Sequence, residues 1–125
     1  IGIATGGLIP LSFLSKQLNQ KKVLTISAHS YTKTEKRTLK ISYMPEADLR
    51  GKRILIIDEI AETGDTLRKI SKAVQKQYKP EKVMAATIAV NTDRCKFYPD
   101  FYTLKTPGVF TLFPWEQHEF PEYFG

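Results

Sequence analysis

Residues 53–67 read RILIIDEIAETGDTL, and this stretch determines the fold class. Its first part, RILIID, is a nearly continuous run of apolar, largely β-branched residues, which is typical of a parallel strand buried on both faces. Apolar residues then recur at positions 67, 70, 74 and 78, so the spacing predicts an amphipathic helix over residues 66–78. A buried strand joined to a helix by a short polar turn indicates an α/β domain.

The same alternation continues on both sides of this unit. Residues 1–5 predict a strand, followed by a glycine turn and a helix with leucines at positions 8, 11, 14 and 18. Strands are also predicted at residues 23–28, 83–90 and 97–104, and an edge strand at 108–116. The polar stretch at residues 30–40 is expected to be a mobile loop. This order predicts a single α/β domain over residues 1–125, with a largely parallel central sheet flanked by helices.

The amino-acid composition limits the class of protein and the kind of binding partner that can be expected. The chain has 125 residues, and its 42% hydrophobic content is enough to build a core. Its formal charge of +6 favours anionic partners, but the basic residues are spread along the chain without an aromatic-rich recognition stretch, so nucleic acid is not the expected partner. No apolar run approaches the roughly 20 residues of a membrane span. The single cysteine, Cys95, excludes an internal disulfide, and a cytoplasmic location is expected.

The turn after the buried strand carries the candidate chemistry, because ligands bind beyond the carboxyl ends of strands in open parallel sheets. Asp58 and Glu59 come at this end, and carboxylates accept hydrogen bonds from sugar hydroxyls and can join Mg²⁺. Gly64 allows a tight turn, and Thr63 to Thr66 open a helix whose free amides suit a phosphate. The stretch therefore predicts that a phosphate and a sugar bind side by side. It contains neither GxxxxGK[ST] nor GxGxxG.

Four segments resemble one known family, the type I phosphoribosyltransferases. ILIIDEIAETGDTL, residues 54–67, resembles the family's binding signature for 5-phosphoribosyl-1-pyrophosphate (PRPP). IATGGLIP, residues 3–10, is similar to its pyrophosphate-binding turn, and Ser30 and Tyr31 lead a stretch that resembles its mobile hood. FPWE, residues 113–116, is similar to the C-terminal element of xanthine/guanine and hypoxanthine enzymes. The four segments occur in the same order as in the family, and together they cover nearly the whole chain.

The resemblance implies that phosphoribose is transferred from PRPP to a purine base of the 6-oxopurine type, with release of pyrophosphate and with Mg²⁺ as cofactor. Asp58 and Glu59 would hold the ribose hydroxyls and the metal. Arg37 lies at the position of an arginine that contacts pyrophosphate. The implied PRPP-binding residues are Thr5, Gly6, Arg37, Asp58, Glu59, Ala61, Glu62, Thr63, Gly64, Asp65 and Thr66.

The resemblance also implies which residues meet the base. Phe110 lies where an aromatic ring stacks on the purine, and the main chain of Thr111 would meet the base edge. Asn91 occupies the position of a lysine that commonly meets the purine 6-oxo group. Glu62 replaces an aspartate that handles the purine proton, so Glu62 is the implied catalytic residue. The identity of the acceptor base stays open.

Two alternatives remain beside this hypothesis. One is a non-catalytic member of the fold that binds nucleotide or nucleic acid, which the positive charge and the departures at Thr5, Glu62 and Asn91 support. The other is a transferase that acts on a different base. By analogy with the family, we also expect a homo-oligomer, and the family's helix ahead of the first strand is expected to be missing from this chain.

Overall fold

The structure is a computed structural model that describes residues 1–33, 36–108 and 111–123, with the main chain only at residues 32, 33, 36 and 37. Two α-helices form, α1 (Leu8–Gln17) and α2 (Asp65–Tyr78). Short 3₁₀ turns follow at Pro114–Glu116 and Pro121–Tyr123. The strands are β1 (Gly2–Ala4), β2 (Thr25–Lys33), β3 (Lys36–Tyr43), β4 (Arg53–Ala61), β5 (Lys82–Asn91) and β6 (Leu104–Thr106). None of the described helices has the length and apolar character needed to cross a bilayer.

The six strands form one sheet in the order β3-β2-β1-β4-β5-β6. Neighbours from β2 to β6 pair in parallel, and only the edge strand β3 runs antiparallel. The predicted α/β class with a largely parallel sheet is therefore confirmed. Because β1, β4 and β5 are parallel, the turns that follow their carboxyl ends lie at one edge of the sheet. The candidate residues cluster at this edge.

Helix α2 is held on the sheet by its apolar face. Leu67, Ile70, Val74 and Tyr78 are all buried, and they pack in one core with Ile54 and Ile56 of β4. The intervening positions of the helix are mostly basic or polar, as expected for a helix with one solvent-facing side. This packing fixes the start of α2, and with it the turn at residues 62–66, against the end of β4.

The polar stretch at residues 30–40 differs from its prediction. Instead of a mobile loop, its described part forms most of an antiparallel pair, from Ala28 opposite Ile41 to Lys33 opposite Lys36. This stretch contains three threonines and a tyrosine, and such residues favour strands. The pair lies at the edge of the sheet, where one polar, solvent-facing side is normal.

The two strands predicted near the C-terminus were also wrong over the described residues. Residues 97–103 are irregular except for one bridge from Phe101 to Ala86, and β6 begins only at Leu104. Residues 111–113 are irregular, and Pro114 begins a 3₁₀ turn. A proline lacks the amide that a strand needs, and its fixed φ suits the first position of a helical turn.

Candidate functional site

Asp58 and Glu59 lie near the end of β4 and form the acidic pair of the site. The Oδ1 atom of Asp58 accepts a hydrogen bond of 2.8 Å from the main-chain amide of Glu59. This bond holds Oδ1 of Asp58 against the main chain of the next residue in the strand. Among the described residues, neither Oδ2 of Asp58 nor Oε1 of Glu59 accepts a hydrogen bond, so one oxygen of each carboxylate remains for a ligand.

The environment of Asp58 disfavours its charged form. Burial raises the pKa of Asp58 from its ordinary value of 3.8 to about 7, the hydrogen bond from the Glu59 amide opposes the rise, and the charge of Glu59 adds to it. Once ionised, a poorly solvated carboxylate gains more from a hydroxyl donor or a cation than a carboxylate in water does. Raised acid pKa values of this kind occur at functional sites more often than elsewhere.

We expect Asp58 to make the protein less stable as the pH rises from about 4 to about 7. In this range the folded state holds a proton that the unfolded state has released, so raising the pH favours unfolding. Urea unfolding with a chelator present measures the effect. The Asp58→Asn variant should gain on the order of 2 kcal/mol over wild type at pH 8 and almost nothing at pH 4. An equal difference at both pH values would contradict this expectation.

Glu59 is held by contacts from two distant segments. Its Oε2 atom accepts a hydrogen bond of 2.8 Å from the indole N–H of Trp115. Its carboxylate lies against Gly6, where a Cβ atom would come within 2.6 Å of Oε1. The pKa of Glu59 is raised, chiefly by burial, with a lowering contribution from Trp115 and a raising one from Glu116 and Glu119. Because the Glu59 carboxylate lies so close to the main chain of residue 6, only a glycine fits at position 6 with Glu59 in this orientation.

The turn between β4 and α2 has the geometry of an anion-binding loop. Gly64 has a φ of +86°, and its neighbour Thr63 accepts hydrogen bonds at its side-chain oxygen from the Asp65 amide (3.2 Å) and at its carbonyl from the Lys96 amide (2.9 Å). The main-chain amides of Thr63, Gly64, Thr66 and Leu67 have no acceptor within the part of the chain that the structure describes. They border a cavity of about 510 Å³. The geometry suits a phosphate group.

Asp65, the first residue of α2, lines this cavity, but its carboxylate is paired with a basic side chain. Its side chain is two-thirds exposed and lies 3.7 Å from the guanidinium of Arg68, one turn along α2. This pair reduces the repulsion that an acid beside a phosphate would otherwise cause. Lys69 and Arg94 also line the cavity and add positive charge.

Glu62 lies beside the same cavity and is oriented by Asn91. The Nδ2 group of Asn91 donates to Glu62 Oε2 (3.0 Å) and to the Gly108 carbonyl (2.7 Å), while its Oδ1 atom accepts from the amides of Asp93 and Arg94. Arg94 lies 4.0 Å from Glu62 Oε2. Asn91 is fully buried, and all of its hydrogen-bonding capacity is used within the protein. A contact from Asn91 to a base would require one of these bonds to break.

Comparison with known proteins identifies the family. Residues 1–116 match the phosphoribosyl transferase domain family. The chain belongs to this family. It is 31% identical over 116 residues to a xanthine-guanine phosphoribosyltransferase of Nitratidesulfovibrio vulgaris, which covers 93% of this chain and 67% of that protein.

Solved phosphoribosyltransferase structures share the fold. A purine phosphoribosyltransferase from Pyrococcus horikoshii superposes with a TM-score of 0.80 at 30% identity, covering 91% of this chain and 73% of that one. A Helicobacter pylori xanthine-guanine-hypoxanthine phosphoribosyltransferase gives 0.81 at 28% identity, covering 99% and 79%. The predicted resemblance is confirmed at the level of family and fold.

Several of the predicted site residues share one edge of the sheet. Thr5 is exposed in the turn after β1, Gly6 lies beneath Glu59, and Ala61 is buried at the end of β4. Thr111 is partly buried in the segment that leads to Trp115. Two predicted residues cannot be placed: the side chain of Arg37 and the whole of Phe110 lie outside the described residues.

The oxygen atoms of the acidic pair fit the Mg²⁺ ion that the phosphoribosyltransferase family implies. Among the described residues, no group of three or more histidine, cysteine, aspartate or glutamate side chains could hold a metal ion. Mg²⁺ commonly binds through one or two carboxylates together with substrate phosphates. The free carboxylate oxygens of Asp58 and Glu59 are ligands of this type.

Two contributors to the site were not predicted from the sequence. Trp115 is hydrogen-bonded to Glu59, which lies 56 positions earlier, and Arg94 lies beside Glu62. No local pattern relates residues so far apart. The sequence contains only a weak indication that Arg94 belongs to the site: an arginine three residues beyond the end of a parallel strand falls at the edge of the sheet where ligands bind.

Proposed function

We propose that this protein transfers phosphoribose from PRPP to a ring nitrogen of a 6-oxopurine and releases pyrophosphate. The observation that carries the proposal is the acidic pair beside the turn with free amides, in a chain of the phosphoribosyltransferase family. Relatives named xanthine-guanine phosphoribosyltransferase support the purine class. The activity needs no covalent nucleophile, because positioning and electrostatic stabilisation can lower the barrier.

The PRPP molecule would be held at two ends. Its 5-phosphate would be wrapped by the turn from Thr63 to Thr66 and accept hydrogen bonds from the amides of this turn that are free, and its ribose hydroxyls would donate to Asp58 and Glu59. The pyrophosphate would meet the main chain at Thr5 and Gly6, with Arg37 as a further contact. When bound, Mg²⁺ would supply positive charge that offsets the charge of the leaving group. These contacts fix the sugar carbon that reacts.

The base would react from the side of Glu62 and Asn91. As the bond from the sugar carbon to pyrophosphate breaks, its electron pair leaves with pyrophosphate, and a ring nitrogen forms the new bond. The proton that the purine loses would pass to the Glu62 carboxylate. Phe110 would stack on the ring and the main chain of Thr111 would meet its edge, while Asn91 would orient Glu62 through the hydrogen bond described above.

A screen of acceptor bases tests the proposal. The protein is mixed with PRPP and Mg²⁺ and with hypoxanthine, guanine, xanthine, adenine, uracil or orotate, and pyrophosphate release is followed together with the nucleotide product. We expect product with at least one 6-oxopurine. Product only with uracil or orotate would indicate a transferase for another base. PRPP binding without product from any base would favour a non-catalytic member of the family.

Replacing Glu62 with glutamine is expected to lower kcat by about 100-fold, because glutamine keeps the hydrogen bond to Asn91 but cannot take the purine proton. The KM for PRPP should change little. Steady-state kinetics with the best base measure both constants, and Glu81→Gln, at an exposed position before β5, is the matched control. Unchanged kcat in Glu62→Gln would exclude Glu62 as the general base.

A further inference from the structure

Trp115 connects the C-terminal segment to the acidic pair. Its indole N–H donates a hydrogen bond of 2.8 Å to Oε2 of Glu59. Phe113 is buried, and its ring stacks on that of Trp115, with centroids 4.8 Å apart and planes inclined by 7°. Glu116 closes the 3₁₀ turn by accepting a 2.8 Å hydrogen bond from the Phe113 amide. The indole is thus held by contacts within its own turn as well as by its hydrogen bond to Glu59.

The consequence for Glu59 is a defined orientation. Oε2 of Glu59 accepts the hydrogen bond from Trp115, and Oε1 lies next to Gly6, in the turn after β1. A glutamate side chain has three rotatable bonds and would otherwise sample many rotamers, since its carboxylate is only partly buried. A neutral N–H donor restrains this carboxylate without adding a positive charge that would compete with a cation.

We propose that Trp115 is a positioning residue for PRPP: its indole N–H holds Glu59 so that Oε1 faces the space between the acidic pair and the turn at residues 5–7. The inference rests on the proposed function, because it assigns Glu59 to the PRPP site. It goes further by giving the C-terminal segment a role in binding the sugar donor. Trp115 acts through Glu59 and does not itself contact the reacting atoms.

A double-mutant cycle on PRPP affinity tests the inference. Trp115→Phe keeps an aromatic ring for the stack on Phe113 and removes the N–H group. We expect the Kd of PRPP with Mg²⁺, measured by calorimetry, to rise about 10-fold in this variant. In a Glu59→Leu background, where the side chain at position 59 has no acceptor for the indole N–H, the same substitution should change Kd less than about twofold. Tyr43→Phe, at an exposed position on β3, is the control and should bind PRPP like wild type.

Two results of this cycle would overturn the inference. Equal PRPP affinity in wild type and Trp115→Phe would show that the hydrogen bond does not position Glu59. An equal loss of affinity from Trp115→Phe in the wild-type and Glu59→Leu backgrounds would show that Trp115 acts only on the structure. PRPP binding without turnover of any base counts against the proposed function alone, and the cycle still decides the role of Trp115. No PRPP binding by wild type would overturn both.

A spectroscopic measurement tests the hydrogen bond without reference to activity. Trp115 is the only tryptophan of the 125 residues, so its indole N–H gives a single, unambiguous resonance in an amide-correlation spectrum of the protein. We expect this resonance to move in Glu59→Gln and to stay in place in Glu81→Gln. It should also move when PRPP and Mg²⁺ are added. A resonance unaffected by Glu59→Gln would overturn the inference.

Discussion

The Gly64→Ala variant is expected to lose about 3 kcal/mol of folding stability and most of its affinity for PRPP. Two costs combine at this position. The φ of +86° disfavours any residue with a Cβ atom by about 1–2 kcal/mol. The added Cβ would also lie 2.5 Å from the carbonyl oxygen of Phe97, and relieving such crowding costs typically about 1–3 kcal/mol. Because the shift would displace the amides of residues 63–67, phosphate binding should weaken with stability.

The Gly51→Ala variant separates the cost of the backbone conformation from the cost of crowding. Gly51 also has a positive φ, of +72°, but a Cβ atom there would meet nothing within 4 Å. We therefore expect this variant to lose only about 1 kcal/mol, the cost of the backbone conformation, and to bind PRPP normally. Urea unfolding of both variants at one pH gives the comparison. Equal losses of stability at positions 51 and 64 would refute the argument from crowding against Phe97.

The Asp58→Asn variant is expected to lose about 1000-fold in kcat/KM while remaining folded. Asparagine can still accept the hydrogen bond from the Glu59 amide, so the end of β4 is preserved. What is lost is the negative charge that would hold a ribose hydroxyl and the cation. Two charge-assisted contacts of about 2 kcal/mol each correspond to roughly this factor in rate.

Stability distinguishes this loss from simple damage to the fold. Since ionisation of the partly buried Asp58 is unfavourable, Asp58→Asn should be at least as stable as wild type at pH 8. Steady-state assays with saturating base, together with urea unfolding, measure the two properties. Glu81→Gln, an exposed acid-to-amide change, should leave both unchanged. A kcat/KM for Asp58→Asn within about threefold of wild type would remove Asp58 from the proposed mechanism.

Local patterns in the sequence were sufficient to predict the centre of the fold. The apolar run of β4 and the helical spacing of α2 each encode their burial within a few residues, and both elements form within three residues of the predicted bounds. The turn at residues 62–66 was also predictable, because glycine and threonine there specify its conformation. In contrast, the pairing of β2 with β3 could not be predicted, because the many charged and polar residues of this stretch hide the strand propensity of its threonines.

The finer details of the site depend on tertiary contacts that no local pattern encodes. The bond from Trp115 to Glu59 exists only because the sheet brings β4 beneath the C-terminal turn. The raised pKa of Asp58 arises from burial by neighbours that are distant in sequence. Asn91 was predicted to meet a base from its position in the family pattern, and its four internal hydrogen bonds became visible only with the surrounding carbonyl and amides in place.

The tight packing of Gly64 on residue 97 places a constraint on loop length. The nearest atoms include the main-chain nitrogen and oxygen of Phe97, and the Lys96 amide also donates to the Thr63 carbonyl. Such support comes largely from the peptide backbone, so many different side chains at position 97 would serve equally well. An insertion or deletion between Asn91 and Phe97 would move the supporting peptide by about 3.5 Å per residue. We therefore expect the turn at residues 62–66 to tolerate variation in the identity of its supporting residues far better than variation in their number.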